Sequence, residues 1–125
     1  MGLRVRTQVS GNAFILHCEG RIVFGDEGAA LRERVGSLLS GTPKIVVNLG
    51  AVEHIDSGGI SILVGLFVSA RNRGGDLKLV SPNQHVTDVL RRTNLHTIFT
   101  LYGSDGEAVA AFGKQVASMT GDETS

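Results

Sequence analysis

"KIVVNLGAVEHIDSGGISILVGLFV", residues 44–68, carries the pattern that decides the fold. Its first part, Lys44 to Leu49, is a short β-branched run without apolar–polar alternation, which suits a strand buried on both faces at the middle of a sheet. The stretch "GAVEHID" then reads as a loop. From Ser57 onward Ile60, Leu63, Val64 and Phe67 recur at helical spacing, so a helix lays that stripe against the sheet. A buried strand leading directly into an amphipathic helix is the repeating unit of an α/β protein, and each further strand it reaches in the same sheet implies a right-handed parallel crossover.

The same grammar continues on either side. Toward the N-terminus, "LRVRTQV" alternates from Leu3 to Val9, "SGN" supplies turn residues and "AFILHCEG" resumes an extended pattern, so a hairpin is predicted. A first helix follows, with Asp26 as a candidate N-cap, Leu31, Val35, Leu38 and Leu39 on one face, and Gly41 and Pro43 as its stop. Toward the C-terminus, Arg71 and Arg73 occupy the last turn of the Ser57 helix and Gly74-Gly75 ends it. "DLKLVS" predicts a strand, and "PNQHVTDVLRRTNL" a helix with Val86, Val89 and Leu90 inward and Asn94 as a left-handed stop. "HTIFTLY" predicts a last strand; Ser104 and Glu107 form a candidate capping box for a final helix through Val109, Phe112 and Val116. The predicted order is β-β-α-β-α-β-α-β-α: an α/β fold with a mixed central sheet centred on residues 44–49. About four helices cover mainly one face of it. One domain over 1–118 and a polar tail over 119–125 account for the 125 residues.

Composition narrows the function. Twelve basic and twelve acidic side chains give zero formal net charge, and neither sign gathers into a block, so nucleic acid and anionic membrane surfaces are poor partners. The longest apolar run, "ILVGLFV" at 62–68, falls far short of the ~20 residues that span a bilayer, so no membrane insertion is expected. The N-terminus lacks the apolar core of a signal peptide, Arg6 stands where a myristoylation motif needs Ser or Thr, and the single cysteine has no intramolecular disulfide partner. A cytoplasmic location follows as the expectation. Cys18 reads as a small core residue rather than a reactive thiol.

Asp56-Ser57-Gly58-Gly59 is where chemistry would reside. A protease reading takes Ser57 as nucleophile, but the tetrapeptide supplies only the serine. His54 lies on the same short segment, the residue two before Ser57 is Ile55 rather than the glycine of a hydrolase elbow, and no oxyanion frame is evident. No hydrolase, and no catalytic residue of any kind, is expected. His17, His54, His85 and His96 are scattered without ligand spacing, and neither a Walker A nor a dinucleotide fingerprint occurs, so no metal or cofactor is expected. Two readings of the tetrapeptide then stand. Either Asp56 or Ser57 caps the helix and nothing more, or the two glycines, each costing roughly 1 kcal/mol in a helix interior, offer bare backbone for close approach of a partner or a phosphoryl donor.

The run from Val47 to Phe112 resembles a STAS domain of the bacterial anti-sigma factor antagonist type. Such domains carry D-S-S-G or D-S-A-G after an apolar strand and a short loop, then an apolar helix, a Gly-Gly turn and a KLV strand. Ile55-Asp56-Ser57-Gly58-Gly59, Gly74-Gly75 and Leu77 to Val80 occupy those places, and "EGRI" at 19–22 resembles the segment before the family's first helix. The resemblance implies a STAS fold and a partner-switching regulator of transcription. The unphosphorylated form would bind an anti-sigma factor serine kinase with a histidine-kinase-like ATPase fold. Phosphorylation on Ser57 would inactivate it. The implied partner-binding residues are Asp56, Ser57, Gly58, Gly59, Ile60 and Asp26. Gly58 departs from the usual Ser or Ala, and Val23 stands where some members have an acidic residue, a place that Asp26 or Glu27 would fill. The alternative is a free-standing STAS subunit of a lipid-transport, transporter or stress-sensing complex. A monomer and a weak dimer are both compatible with the sequence.

Overall fold

A computed structural model describes residues 3–41 and 44–112, apart from the side chains of Asp26 and Glu27. Its strands are β1 (Leu3–Ser10), β2 (Ala13–Ile22), β3 (Lys44–Ile55), β4 (Asp76–Val80) and β5 (Leu101–Tyr102). The helices are α1 (Asp26–Leu38), α2 (Ser57–Asn72) and α3 (Gln84–Arg92), followed by a 3-10 turn at Leu95–Thr97; residues 105–112 are helical as well. Val116 and the 119–125 tail lie outside the described residues.

The strands form one sheet in the order β1-β2-β3-β4-β5. β1 and β2 are the predicted antiparallel hairpin, and the remaining pairs are parallel, as strand–helix–strand crossovers require. β3 is central, and its opening run is buried on both faces because alternate side chains serve two cores. Ile45, Val47 and Leu49 join Leu16, Cys18, Leu77 and Leu79 under α1, α2 and α3. Val46 points the other way and packs with Ala13, Ile15, Val80 and the helical Ala108 and Phe112. Helical cover is therefore heavier on one face, and the terminal helical segment protects part of the other.

Lys78 reaches that second face from β4 and is 2% exposed, which demands compensation for its charge. Asp76 Oδ2 accepts from its Nζ at 3.1 Å, and the ammonium lies 4.9 Å from the Phe112 ring centroid and 5.5 Å from that of Tyr102. Cys18 is buried as expected; desolvation pushes its thiol up to about 12 against the opposing charge of Arg34, so it is a core side chain and not a nucleophile.

Three predicted details differ. "GAVEHID" is not a loop: β3 runs on to Ile55, paired with Glu19–Ile22 of β2 through two register shifts. Those irregularities break the period of two that would have advertised a strand. β4 accompanies β3 only from Lys44 to Asn48, so the second half is flanked by a strand on one side and tolerates the exposed Glu53. "HTIFTLY" yields a strand only at Leu101–Tyr102. Asn94 does take the left-handed conformation, φ 60°, but it leads into the 3-10 turn that delivers Phe99 to the core, 5.2 Å edge-on from Phe67. α1 is capped not by Asp26 but by Gly25, whose φ of 135° is open essentially to glycine alone, and Asp26 is the first helical residue. One half of the predicted capping box forms at the last helix, where Ser104 Oγ accepts from the Glu107 N–H at 3.2 Å; the Glu107 carboxylate reaches one residue further back and accepts from the Gly103 N–H at 3.0 Å.

Candidate functional site

Where β3 ends, the chain turns at once into α2, and the tetrapeptide 56–59 forms the junction. Asp56 is the N-cap: its backbone is extended and its Oδ1 accepts from the Gly59 N–H at 2.9 Å. The same carboxylate accepts from the Phe24 N–H at 3.1 Å through Oδ1 and 3.3 Å through Oδ2, tying the β2–α1 connection to the foot of α2. The Gly59 N–H, then those of Phe24 and Gly58, and the neighbouring His54 hold the carboxyl below its usual range, against the opposing effect of partial desolvation. The choice that the sequence left open between two capping residues is thereby resolved. With Asp56 as the cap, Ser57 is the first helical residue and is exposed.

The two glycines have a structural cause that the sequence did not reveal. A Cβ at Gly59 would land on the carbonyl oxygen of Ile22 and lie 2.8 Å from Ile55 Cγ1. One at Gly58 would lie 2.5 Å from Phe24 Cβ and 2.8 Å from Phe24 Cα. Bare backbone here lets α2 abut the end of β2 and the turn after it. A Ser or Ala at position 58, as in the D-S-S-G and D-S-A-G patterns, would meet the Cβ and backbone of Phe24 here. Gly59 and Ile60 are buried, whereas Ser57 is exposed and Asp56 and Gly58 are half-buried, so the surface presented to another molecule is made by residues 56–58. Asp26 opens α1 close by in sequence to Phe24; Val23 is half-buried.

Sequence reasoning missed Phe24, which is 85% exposed beside this junction. Nothing in a single aromatic after "EGRIV" signals an outward ring. It also treated the histidines as unrelated. His54 and His85 in fact stack with ring centroids 4.8 Å apart and planes inclined by 16°, because α3 packs beside the second half of β3, where the Asn83 amide also donates to the Val52 carbonyl at 2.7 Å. The pair has no third ligand: among the described residues no group of three or more His, Cys, Asp or Glu could hold a metal ion. Nor, among the described residues, is any helix long and apolar enough to cross a membrane.

A five-stranded mixed sheet with a capped, serine-first helix after its central strand is the arrangement of a STAS domain. The STAS family model matches residues 4–108, and the chain belongs to that family. A Thermotoga neapolitana protein provisionally named an anti-sigma factor antagonist is 40% identical over 72 residues, 58% of this chain; the match spans 64% of that relative's length. The crystal structure of a Thermotoga maritima protein, likewise provisionally described as an anti-sigma factor antagonist, superposes with a TM-score of 0.81 at 29% identity, covering 86% of this chain and 93% of the other. The Bacillus cell-fate determinant SpoIIAA in its phosphorylated form shares the fold, with a TM-score of 0.68 at 14% identity over 88% of this chain and 98% of the other.

Proposed function

We propose that this chain is an anti-sigma factor antagonist that works by partner switching in the cytoplasm of a bacterium. Its unphosphorylated form binds an anti-sigma factor that is also a serine kinase, and phosphorylation of Ser57 ends that binding. The chain itself catalyses nothing. The observation that carries this reading is the placement of Ser57: an exposed hydroxyl at the first residue of α2, relieved of capping by Asp56, in a chain of the STAS family.

The chemistry fits a modification site. In the kinase, Ser57 Oγ attacks the γ-phosphorus of bound ATP, the bond to the β–γ bridging oxygen breaks to release ADP, and the hydroxyl proton passes to a base of the kinase. The product carries about −1.5 to −2 charge at the N-terminal pole of α2, where the helix dipole accommodates it without unfolding the domain. A partner face seated on residues 56–58 would have to desolvate that charge beside the Asp56 carboxylate. A penalty of about 4 kcal/mol weakens Kd about a thousandfold.

The test is titration calorimetry of the unmodified and the Ser57-phosphorylated chain against each serine-kinase anti-sigma factor of the source genome, purified singly. Tight binding of the unmodified chain to one of them, lost on phosphorylation, is the expected result. Equal affinity of both forms overturns the switch; binding to none of the kinases, with a pull-down by the unmodified chain that instead retains a membrane transporter or a large sensor assembly, favours the accessory-subunit role.

A further inference from the structure

Among the described residues, Phe24 is the most exposed large apolar side chain at 85%, ahead of Val9 at 68% and Val68 at 47%. Its backbone is nonetheless fixed on three sides. Both Asp56 carboxylate oxygens accept its N–H, at 3.1 and 3.3 Å. Its Cα and Cβ rest against Gly58, leaving no room for even a methyl group there. Gly25 follows with φ 135°, turning the chain sharply into α1. On the Phe24 side that fixing uses the N–H, Cα and Cβ, atoms that every residue but glycine and proline also offers, and none of it uses the ring. What the mount achieves is to hold an aromatic ring in water next to Ser57, whose two sequence neighbours, Asp56 and Gly58, both touch Phe24.

We propose that Phe24 is the apolar anchor through which this chain docks its anti-sigma factor, the ring entering an apolar pocket of the kinase that borders the site where Ser57 is presented. This rests on the function proposed above. Aromatic side chains are enriched among the few residues that dominate an interface, and one whose backbone is already fixed loses little conformational freedom on binding. The location also makes the switch effective. A phosphate on Ser57 would place its charge at the edge of the anchor's pocket, where binding excludes water, instead of at a wet rim where it would be screened. Ser57 thus supplies the regulated polar edge of a patch whose affinity comes from Phe24.

The experiment compares Phe24→Ala, Phe24→Trp and Val68→Ala with the wild type, by titration calorimetry against each serine-kinase anti-sigma factor of the source genome. Thermal unfolding and sedimentation run in parallel. The Phe24 N–H survives in every variant, so melting temperatures should stay close to wild type. Phe24→Ala is expected to weaken binding about thirtyfold or more, Phe24→Trp to stay within about fivefold, and Val68→Ala, on the exposed face of α2, to bind as wild type. Wild-type affinity retained by a folded Phe24→Ala overturns the anchor while leaving the proposed function intact. Loss of self-association in that variant with kinase affinity unchanged also overturns it, making a second copy of this chain the occupant. If no kinase binds the wild type, the proposed function falls and the anchor falls with it.

Discussion

The carboxylate of Asp56 grips the backbone N–H of Phe24, at 3.1 Å from Oδ1 and 3.3 Å from Oδ2, across 32 positions of sequence. With the Gly59 N–H also bound at 2.9 Å, one side chain both starts α2 and locks the preceding turn against it. The residue next to the candidate phosphoacceptor is therefore a structural clamp.

Removing the clamp should cost stability in a pH-dependent way. Asp56→Ala forfeits the cap and leaves two N–H groups without their acceptor, an expected loss of about 1–2 kcal/mol at neutral pH. Asp56→Asn, which keeps a capping oxygen, should lose less. The hydrogen bonds from Gly59 and Phe24 hold the folded-state pKa of Asp56 below the ordinary aspartate value. Its charge-dependent contribution is thus complete above about pH 5, where the unfolded carboxyl is also ionised, shrinks as pH falls through the unfolded value and is lost below the lowered folded one. Thermal unfolding from pH 7 to pH 2 should show the wild type and Asp56→Asn converging only at the acid end. A gap that persists unchanged to pH 2 would show that the charge is immaterial.

Gly59→Ala should be among the most damaging single substitutions in the chain, because the new methyl meets the Ile22 backbone carbonyl rather than a side chain that can rotate away. Overpacking against backbone costs at least about 3 kcal/mol at such a site. Gly58→Ala meets the Phe24 turn instead, which can shift as a unit, and about 1–2 kcal/mol is expected. Urea unfolding of both variants checks the ranking; Gly59→Ala as stable as wild type would mean that α2 does not pack as closely as described.

The particular residues that sequence reasoning read correctly share a property: their signal is local. Asn94 in the left-handed region, the Ser104–Glu107 hydrogen bond and the doubly buried run 45–47 all follow from neighbours a few positions away. What it missed depends on segments distant in the chain. The strand over 50–55 exists because β2 pairs with it through a shifted register, and the glycines at 58 and 59 are required by Phe24 and Ile22. The stacking of His54 on His85 joins β3 to α3. The place of Ser57 at the start of a helix is legible because Asp-Ser-Gly-Gly is both a local helix-start signal and part of a family pattern. That of Phe24 is not, because exposure of a ring is set by tertiary packing and leaves no periodic trace.

Lys78 offers a second stability test away from the site. Lys78→Ala removes a cation that is 2% exposed, leaves Asp76 short of a partner and opens space between Phe112 and Tyr102; about 2–4 kcal/mol is expected to be lost. Lys78→Met fills the same volume without a charge, and Asp76 still accepts from the Leu77 N–H at 2.9 Å with Arg71 at 3.7 Å, so most of that loss should be restored. Asp76→Ala should be worse than Lys78→Met, since it strands the buried ammonium. The opposite order in chemical unfolding would show that the ammonium is satisfied without Asp76, by the Phe112 and Tyr102 rings over which it lies.

Ser57 separates stability from regulation. Because Asp56 performs the capping, Ser57→Ala should change unfolding free energy by less than about 0.5 kcal/mol, in contrast to the ~1 kcal/mol lost when a true N-cap is replaced. Ser57→Glu adds a carboxylate to the first turn, where the helix dipole favours it and Asp56 opposes it, so that variant should remain folded as well. Their behaviour toward the kinase should diverge. With ATP and Mg²⁺ present, wild type should bind at first and be released as Ser57 is modified, while Ser57→Ala should stay bound indefinitely. Ser57→Glu should bind at least about tenfold more weakly from the outset, less severely than a phosphate because it carries one charge and two oxygens in place of nearly two charges and three. Time-resolved calorimetry or fluorescence anisotropy with the same kinase distinguishes these courses. Release of Ser57→Ala by ATP would place the modified residue elsewhere, and tight binding by a folded Ser57→Glu would remove charge from the mechanism.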